Sequence, residues 1–102
     1  MATLVKVTPL SAIAIGKATV FDVANKRVAI FNVNGNFFAI DDECPHAGAS
    51  LAEGEINGDQ VTCPFHAANF CLRTGAALCP PARKGVKAYR VVIQDGDIHL
   101  EF

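Results

Sequence analysis

Four residues in the middle of the chain could do chemistry together: Cys44, His46, Cys63 and His66. They fall into two short turns, Cys-x-His and then, after 16 intervening residues, Cys-x-x-His. Thiolate sulfur and imidazole nitrogen are both metal donors, and here each turn contributes one of each. Structural zinc usually spaces like with like, two cysteines close together and then two histidines. The mixed turns suit another arrangement. If an antiparallel closure brings the two turns together, both cysteines lie on one side and both histidines on the other. A single tetrahedral ion gains nothing from that sorting, although a mononuclear zinc site remains the alternative. A two-iron cluster does gain, because one iron then takes both thiolates and the other both imidazoles.

Such turns need a rigid frame, and the flanking sequence supplies one. The chain has 102 residues, 51% apolar and 19% charged, which suits one ordered domain with a single core. "KATVFDV" (17–23) and "VAIFNV" (28–33) are rich in β-branched and aromatic residues, separated by the polar break "ANKR". Asn34-Gly35 then leads into "NFFAI" (36–40), and Asn-Gly between apolar runs is a strong two-residue hairpin signal. Asn57-Gly58 sits between "GEI" and "QVTC", and Asp95-Gly96 joins "VKAYRVVI" (86–93) to "DIHLEF" (97–102). No segment of ten or more residues holds a 3.6-residue period. The expected fold is therefore all-β: an antiparallel sandwich or barrel in one domain spanning 1–102. Base strands lie in 1–40 and 83–102, and an inserted, loop-rich metal-binding part lies in 41–82.

Composition excludes several roles. The formal net charge of −1 argues against nucleic-acid binding. No apolar run approaches the roughly 20 residues of a membrane span. "MATLVKVTPLSAIAIGK" lacks the charged start and long apolar stretch of a secretion signal. The four cysteines are then better read as metal ligands and buried thiols than as two disulfides, and the expected location is the cytoplasm.

With the turns come further signs. Pro45 and Pro64 follow the two cysteines, Phe70 and Thr74-Gly75 form an F-x-x-x-T-G stretch, and Pro80-Pro81 follows. From about Asp41 to Ala82 the sequence resembles the Rieske-type [2Fe–2S] proteins. The resemblance implies one Rieske cluster, with Cys44 and Cys63 on the buried iron and His46 and His66 on the outer one, and a proline loop at Pro80-Pro81 covering it. Two ferric ions, two sulfides and two thiolates sum to zero with neutral imidazoles, so an electron is added more easily than to a four-thiolate centre. Potentials of such centres run from about −150 to +300 mV. High-potential members carry two further cysteines and aim serine and tyrosine hydroxyls at the sulfurs. Ala49, Phe65, Ala68 and Phe70 stand at those places here, which implies a low-potential ferredoxin. Ala67 stands where the family has glycine and Cys71 where it commonly has aspartate.

The implied role is a one-electron carrier and not an enzyme. It would take electrons from a flavin-dependent reductase and pass them to a terminal ring-hydroxylating oxygenase, acting as a monomer. Rieske oxygenases add a mononuclear iron site, but the 21 residues after Pro81 hold one histidine, His99. That residue reads as an ordinary strand histidine. The alternatives are a small Rieske subunit of a larger reductase, such as an assimilatory nitrite reductase, and a structural zinc module. Cys71 and Cys79 read as buried thiols; a three-residue turn between them would instead align them for a disulfide. Finally, no Lys or Arg lies between Val28 and Leu72, while Asp41, Asp42, Glu43, Glu53, Glu55 and Asp59 do. This acidic run is read as a docking face for a basic partner.

Overall fold

The computed structural model describes residues 3–44, 49–64, 69–78 and 85–102. The β-branched and aromatic runs form β2 (Ala18–Val23), β3 (Lys26–Val33), β4 (Asn36–Asp41), β8 (Ala88–Gln94) and β9 (Asp97–Glu101). The sequence pattern had not singled out β1 (Leu4–Pro9). Three short strands, β5 (Glu55–Asn57), β6 (Gln60–Thr62) and β7 (Asn69–Cys71), complete the described elements with two single turns of 3-10 helix.

The strands form a six-stranded antiparallel sheet in the order β1-β9-β8-β4-β3-β2 and a three-stranded sheet β5-β6-β7. β1 and β2, at opposite ends of the large sheet, touch each other, so that sheet curls into a nearly closed barrel. Its chain ends are tied together: Thr3 and Phe102 exchange both backbone hydrogen bonds, at 3.0 and 2.9 Å.

Four two-residue turns set the registers. Asn34-Gly35 (φ 53° and 90°) and Asp95-Gly96 (53° and 77°) place both residues in the left-handed region, as their types favour. Ala24-Asn25 (50° and 65°) does the same without a glycine. The Asn57-Gly58 signal is displaced by one residue: Asn57 pairs with Gln60, so Gly58 (φ 60°) and Asp59 form the corner.

β3 explains why "VAIF" has no polar interruption. Val28 and Ile30 face a cluster inside the barrel with Ile13, Ala39, Tyr89, Ile98 and Leu100. Ala29 and Phe31 face a second cluster, between the barrel and the small sheet, with Ile40, Leu51, Val61, Phe70 and Leu72. A strand covered on both faces reads as a continuous apolar run. Removing the Phe31 ring from this two-sided core would cost about 3–5 kcal/mol. The second cluster also contains Cys44 and Cys63, so the frame and the candidate site share one apolar mass.

Candidate metal centre

Each Cys/His turn closes on an antiparallel pair. In the first, β4 runs out through Asp42 and Glu43 to Cys44, and Glu43 bridges to Ser50. The Cys44 N–H donates to the Ala49 carbonyl at 2.9 Å and the Leu51 N–H to the Asp42 carbonyl at 2.8 Å. In the second, Thr62 on β6 pairs with Asn69 on β7. The Thr62 hydroxyl donates to Asn69 Oδ1 at 2.6 Å, fastening the neck beside Cys63. Both cysteines are buried at 1% exposure. Two turns from different sheets thus deliver two thiols into one apolar cluster. That donor set fits the thiolate side of an iron–sulfur cluster, which wants soft ligands in a dry setting. His46 and His66 lie outside the described residues, as do Pro45, Phe65, Ala67, Ala68, Cys79, Pro80 and Pro81.

The acidic run divides once it is folded. Asp42 is fully buried: Oδ1 accepts from the Ser50 hydroxyl at 2.8 Å and from the Ala52 N–H at 3.0 Å. Its Oδ2 lies 3.5 Å from Arg27 Nη2. Asp41 accepts the Tyr89 hydroxyl at 2.6 Å. Burial, followed by that hydrogen bond and the Asp41 charge, raises the Tyr89 pKa well above its ordinary value. Asp59 pairs with Arg73 at 3.1 Å. Glu43, Glu53 and Glu55 alone of the six are exposed. Glu53 and Glu55 flank an open groove with Gly54, Thr62, Cys63 and Pro64. The expectation of a six-acid docking face is corrected accordingly: Asp42 is part of the frame, because a buried carboxylate must be hydrogen-bonded.

The role of Asp42 was missed in sequence, yet a signal was there. The Asn34-Gly35 turn pairs Val33 with Asn36 and, counting outward, Val28 with Asp41. One more step sets Arg27 opposite Asp42.

Phe70 is fully buried in the cysteine cluster, and Ala49 is 5% exposed within it. Neither side chain carries a hydroxyl or thiol. Cys71 does not face Leu78: Phe70 bridges Ala77, and the Cys71 N–H donates to the Ala76 carbonyl at 2.9 Å, so four residues separate Cys71 from Ala76. A hydrogen bond with the Thr74 side chain holds the Cys71 thiol below its ordinary pKa. His99 lies on β9 between Lys6 of β1 and Val92 of β8, in the large sheet. Its Nδ1 is buried without a hydrogen-bond partner among the described residues.

Among the described residues no helix is long and apolar enough to cross a membrane. The family model of the Rieske [2Fe-2S] domain matches residues 3–90. The "3-phenylpropionate/cinnamic acid dioxygenase ferredoxin subunit" of Shigella flexneri serotype 5b is 44% identical over 94 residues, 91% of this chain and 88% of the relative. Among solved structures, the ferredoxin of carbazole 1,9a-dioxygenase from Nocardioides aromaticivorans IC177 superposes with a TM-score of 0.90 at 33% identity, covering 96% of both chains. A ferredoxin in a complex of reduced oxygenase and oxidized ferredoxin, again of carbazole 1,9a-dioxygenase, gives 0.87 at 28% identity, with 95% and 91% covered. A match over most of the chain, together with the two buried thiols in one cluster, makes this protein a member of the Rieske [2Fe-2S] domain family.

Proposed function

We propose that this chain is the ferredoxin of a multicomponent aromatic-ring-hydroxylating oxygenase system. In this reading it accepts single electrons from a flavin-dependent reductase and passes them to the terminal oxygenase. The ligands are Cys44 and Cys63 on one iron and His46 and His66 on the other. When bound, the cluster supplies a one-electron couple; the rest of the work is the protein's. Cys44 and Cys63 offer their sulfurs inside an apolar cluster that excludes water. The bonds at Ala49 and Asn69 close the neck of each turn. The observation that carries the reading is the delivery of both buried thiols to one cluster from two tied turns. The ferredoxin names of the relatives support a carrier, not a catalyst, and the solved complex with an oxygenase supports that partner. We place the protein in the cytoplasm as a monomer, where a reducing compartment keeps the ligand cysteines as thiols. The domain divides functionally into the base of 1–40 and 83–102 and a cluster-binding part of 41–82.

The test is metal and sulfide analysis of the purified protein. Two irons and two acid-labile sulfides per chain are expected. Alanine at Cys44, His46, Cys63 or His66 should abolish the cluster, while alanine at Cys71 or Cys79 should retain it. Stoichiometric zinc without labile sulfide would establish the structural zinc module instead.

A further inference from the structure

Asp42 is the one fully buried carboxylate among the described residues, and it stands two positions before Cys44. It draws the return limb of the first turn onto the outgoing limb through three bonds and ties that limb to β3 through a fourth. Two are side-chain bonds to Oδ1, from Ser50 and Ala52. Two are backbone bonds, Leu51 N–H to its carbonyl and its own N–H to the Arg27 carbonyl at 3.0 Å. Whatever path residues 45–48 take, both ends of that path are pinned by this residue.

An uncharged asparagine could accept the same two bonds on Oδ1. Burying a charge in place of an amide costs several kcal/mol in general, so the charge calls for its own explanation. Its neutralisation is incomplete. The Arg27 guanidinium lies 3.5 Å from Oδ2 with its side chain 64% exposed, while the Asp42 side chain is 2% exposed. Water screens the cation and not the anion. A buried negative charge two residues before Cys44 opposes the arrival of an electron at a centre that Cys44 holds.

We propose that Asp42 is the positioning residue of the first turn, and that its charge, offset in part by Arg27 across the β3–β4 hairpin, biases the centre toward its oxidised form. The proposal rests on the cluster reading given above, and four substitutions separate its two halves. Asp42→Asn keeps both Oδ1 bonds and removes the charge: the cluster should be retained and the midpoint potential should rise. Arg27→Gln leaves the anion less compensated: the potential should fall, by less than the Asp42→Asn rise because Arg27 is exposed. Ser50→Ala removes one bond and no charge: cluster loss on incubation with a chelator should quicken at unchanged potential. Asp42→Ala removes both functions, so it should lose the cluster fastest, or fail to fold as the pinning role requires. Potentials are read by protein-film voltammetry, and retention by iron and sulfide content and the electron paramagnetic resonance signal of the reduced protein. Equal potentials in wild type, Asp42→Asn and Arg27→Gln would overturn the charge role. Wild-type retention in Ser50→Ala and Asp42→Ala would overturn the positioning role. Zinc in place of iron in the wild type would instead defeat the underlying reading, and that outcome is visible before any variant is made.

Discussion

Gly75 is the described glycine at which the backbone leaves least room, and substituting it has a calculable effect. Its φ is +78°, and a Cβ built there lies 1.9 Å from the Val86 carbonyl oxygen and 2.9 Å from the carbonyl carbon. The Val86 N–H donates to the Gly75 carbonyl at 2.8 Å, and a Cβ on Gly85 would sit 2.5 Å from that same oxygen. Two stretches of main chain therefore touch through glycines on both sides. Gly75→Ala puts an L-residue in the left-handed region, at about 1–2 kcal/mol. It must also part the two backbones, at the expense of the Val86 bond, about 0.5–1.5 kcal/mol. The expected loss is about 1.5–3.5 kcal/mol, out of the roughly 5–15 kcal/mol typical of a domain this size. Gly35→Ala is the control: φ is +90° but nothing lies within 4 Å of the built Cβ, so only the conformational part, about 1–2 kcal/mol, applies. Urea unfolding of the purified holoproteins, followed by tryptophan-independent far-ultraviolet circular dichroism, gives both values. Equal midpoints for the two variants would refute the close approach of Val86 and, with it, the tie between the turn after β7 and the segment leading into β8.

Three other outcomes are expected. With Phe70 and Ala49 packed in the cysteine cluster and offering no donor group, the midpoint potential should lie on the order of −150 to 0 mV and stay flat from about pH 6 to pH 9. A value above about +150 mV in film voltammetry would contradict this. Charge reversal at Glu53 and Glu55, beside the groove at Cys63, should slow reduction of a basic oxygenase surface at low salt and leave the potential nearly unchanged; stopped-flow rates over a salt series decide it. Tyr89 is kept neutral in the fold by burial and by Asp41. Stability from it is therefore complete below the unfolded pKa of about 10 and falls as pH rises beyond that value, so alkaline unfolding titrations of wild type should be steeper than those of Tyr89→Phe.

Much of the frame was legible because turn chemistry and strand composition agreed. Asn34-Gly35 and Asp95-Gly96 lie where positive φ is cheap, and they fixed β3–β4 and β8–β9 in register. Ala24-Asn25 adopts the same geometry with an alanine in the first position, where composition gives little warning. β1 escaped notice because its partner is the last strand, and no local turn announces that pairing. At Asn57-Gly58 the dipeptide was recognised but its place in the turn was not. Only Gly58 needs positive φ there, so glycine at the first corner, followed by Asp59, met the requirement. At the site, the mixed spacing pointed to Cys44 and Cys63, and the fold brings both into one cluster. The acids were misjudged for a physical reason: charge counting along a sequence cannot tell a solvated carboxylate from one that hydrogen bonds hold inside, as at Asp42.

The pairing of Leu4 with Glu101 sets a schedule for making the molecule. As the chain leaves the ribosome, the β2–β3–β4 meander and the β5–β6–β7 unit can form from neighbours already present. β1 has to wait, with its edge open, until β9 emerges as the last strand. Pairings between distant segments are slow to close and leave edges exposed meanwhile. Lys6 on the waiting strand is the kind of residue that keeps such an edge from joining a neighbour's. The three-stranded sheet that leads into Cys63 is thus assembled early and locally, and the pairing of β1 with β9 comes last among the described strands.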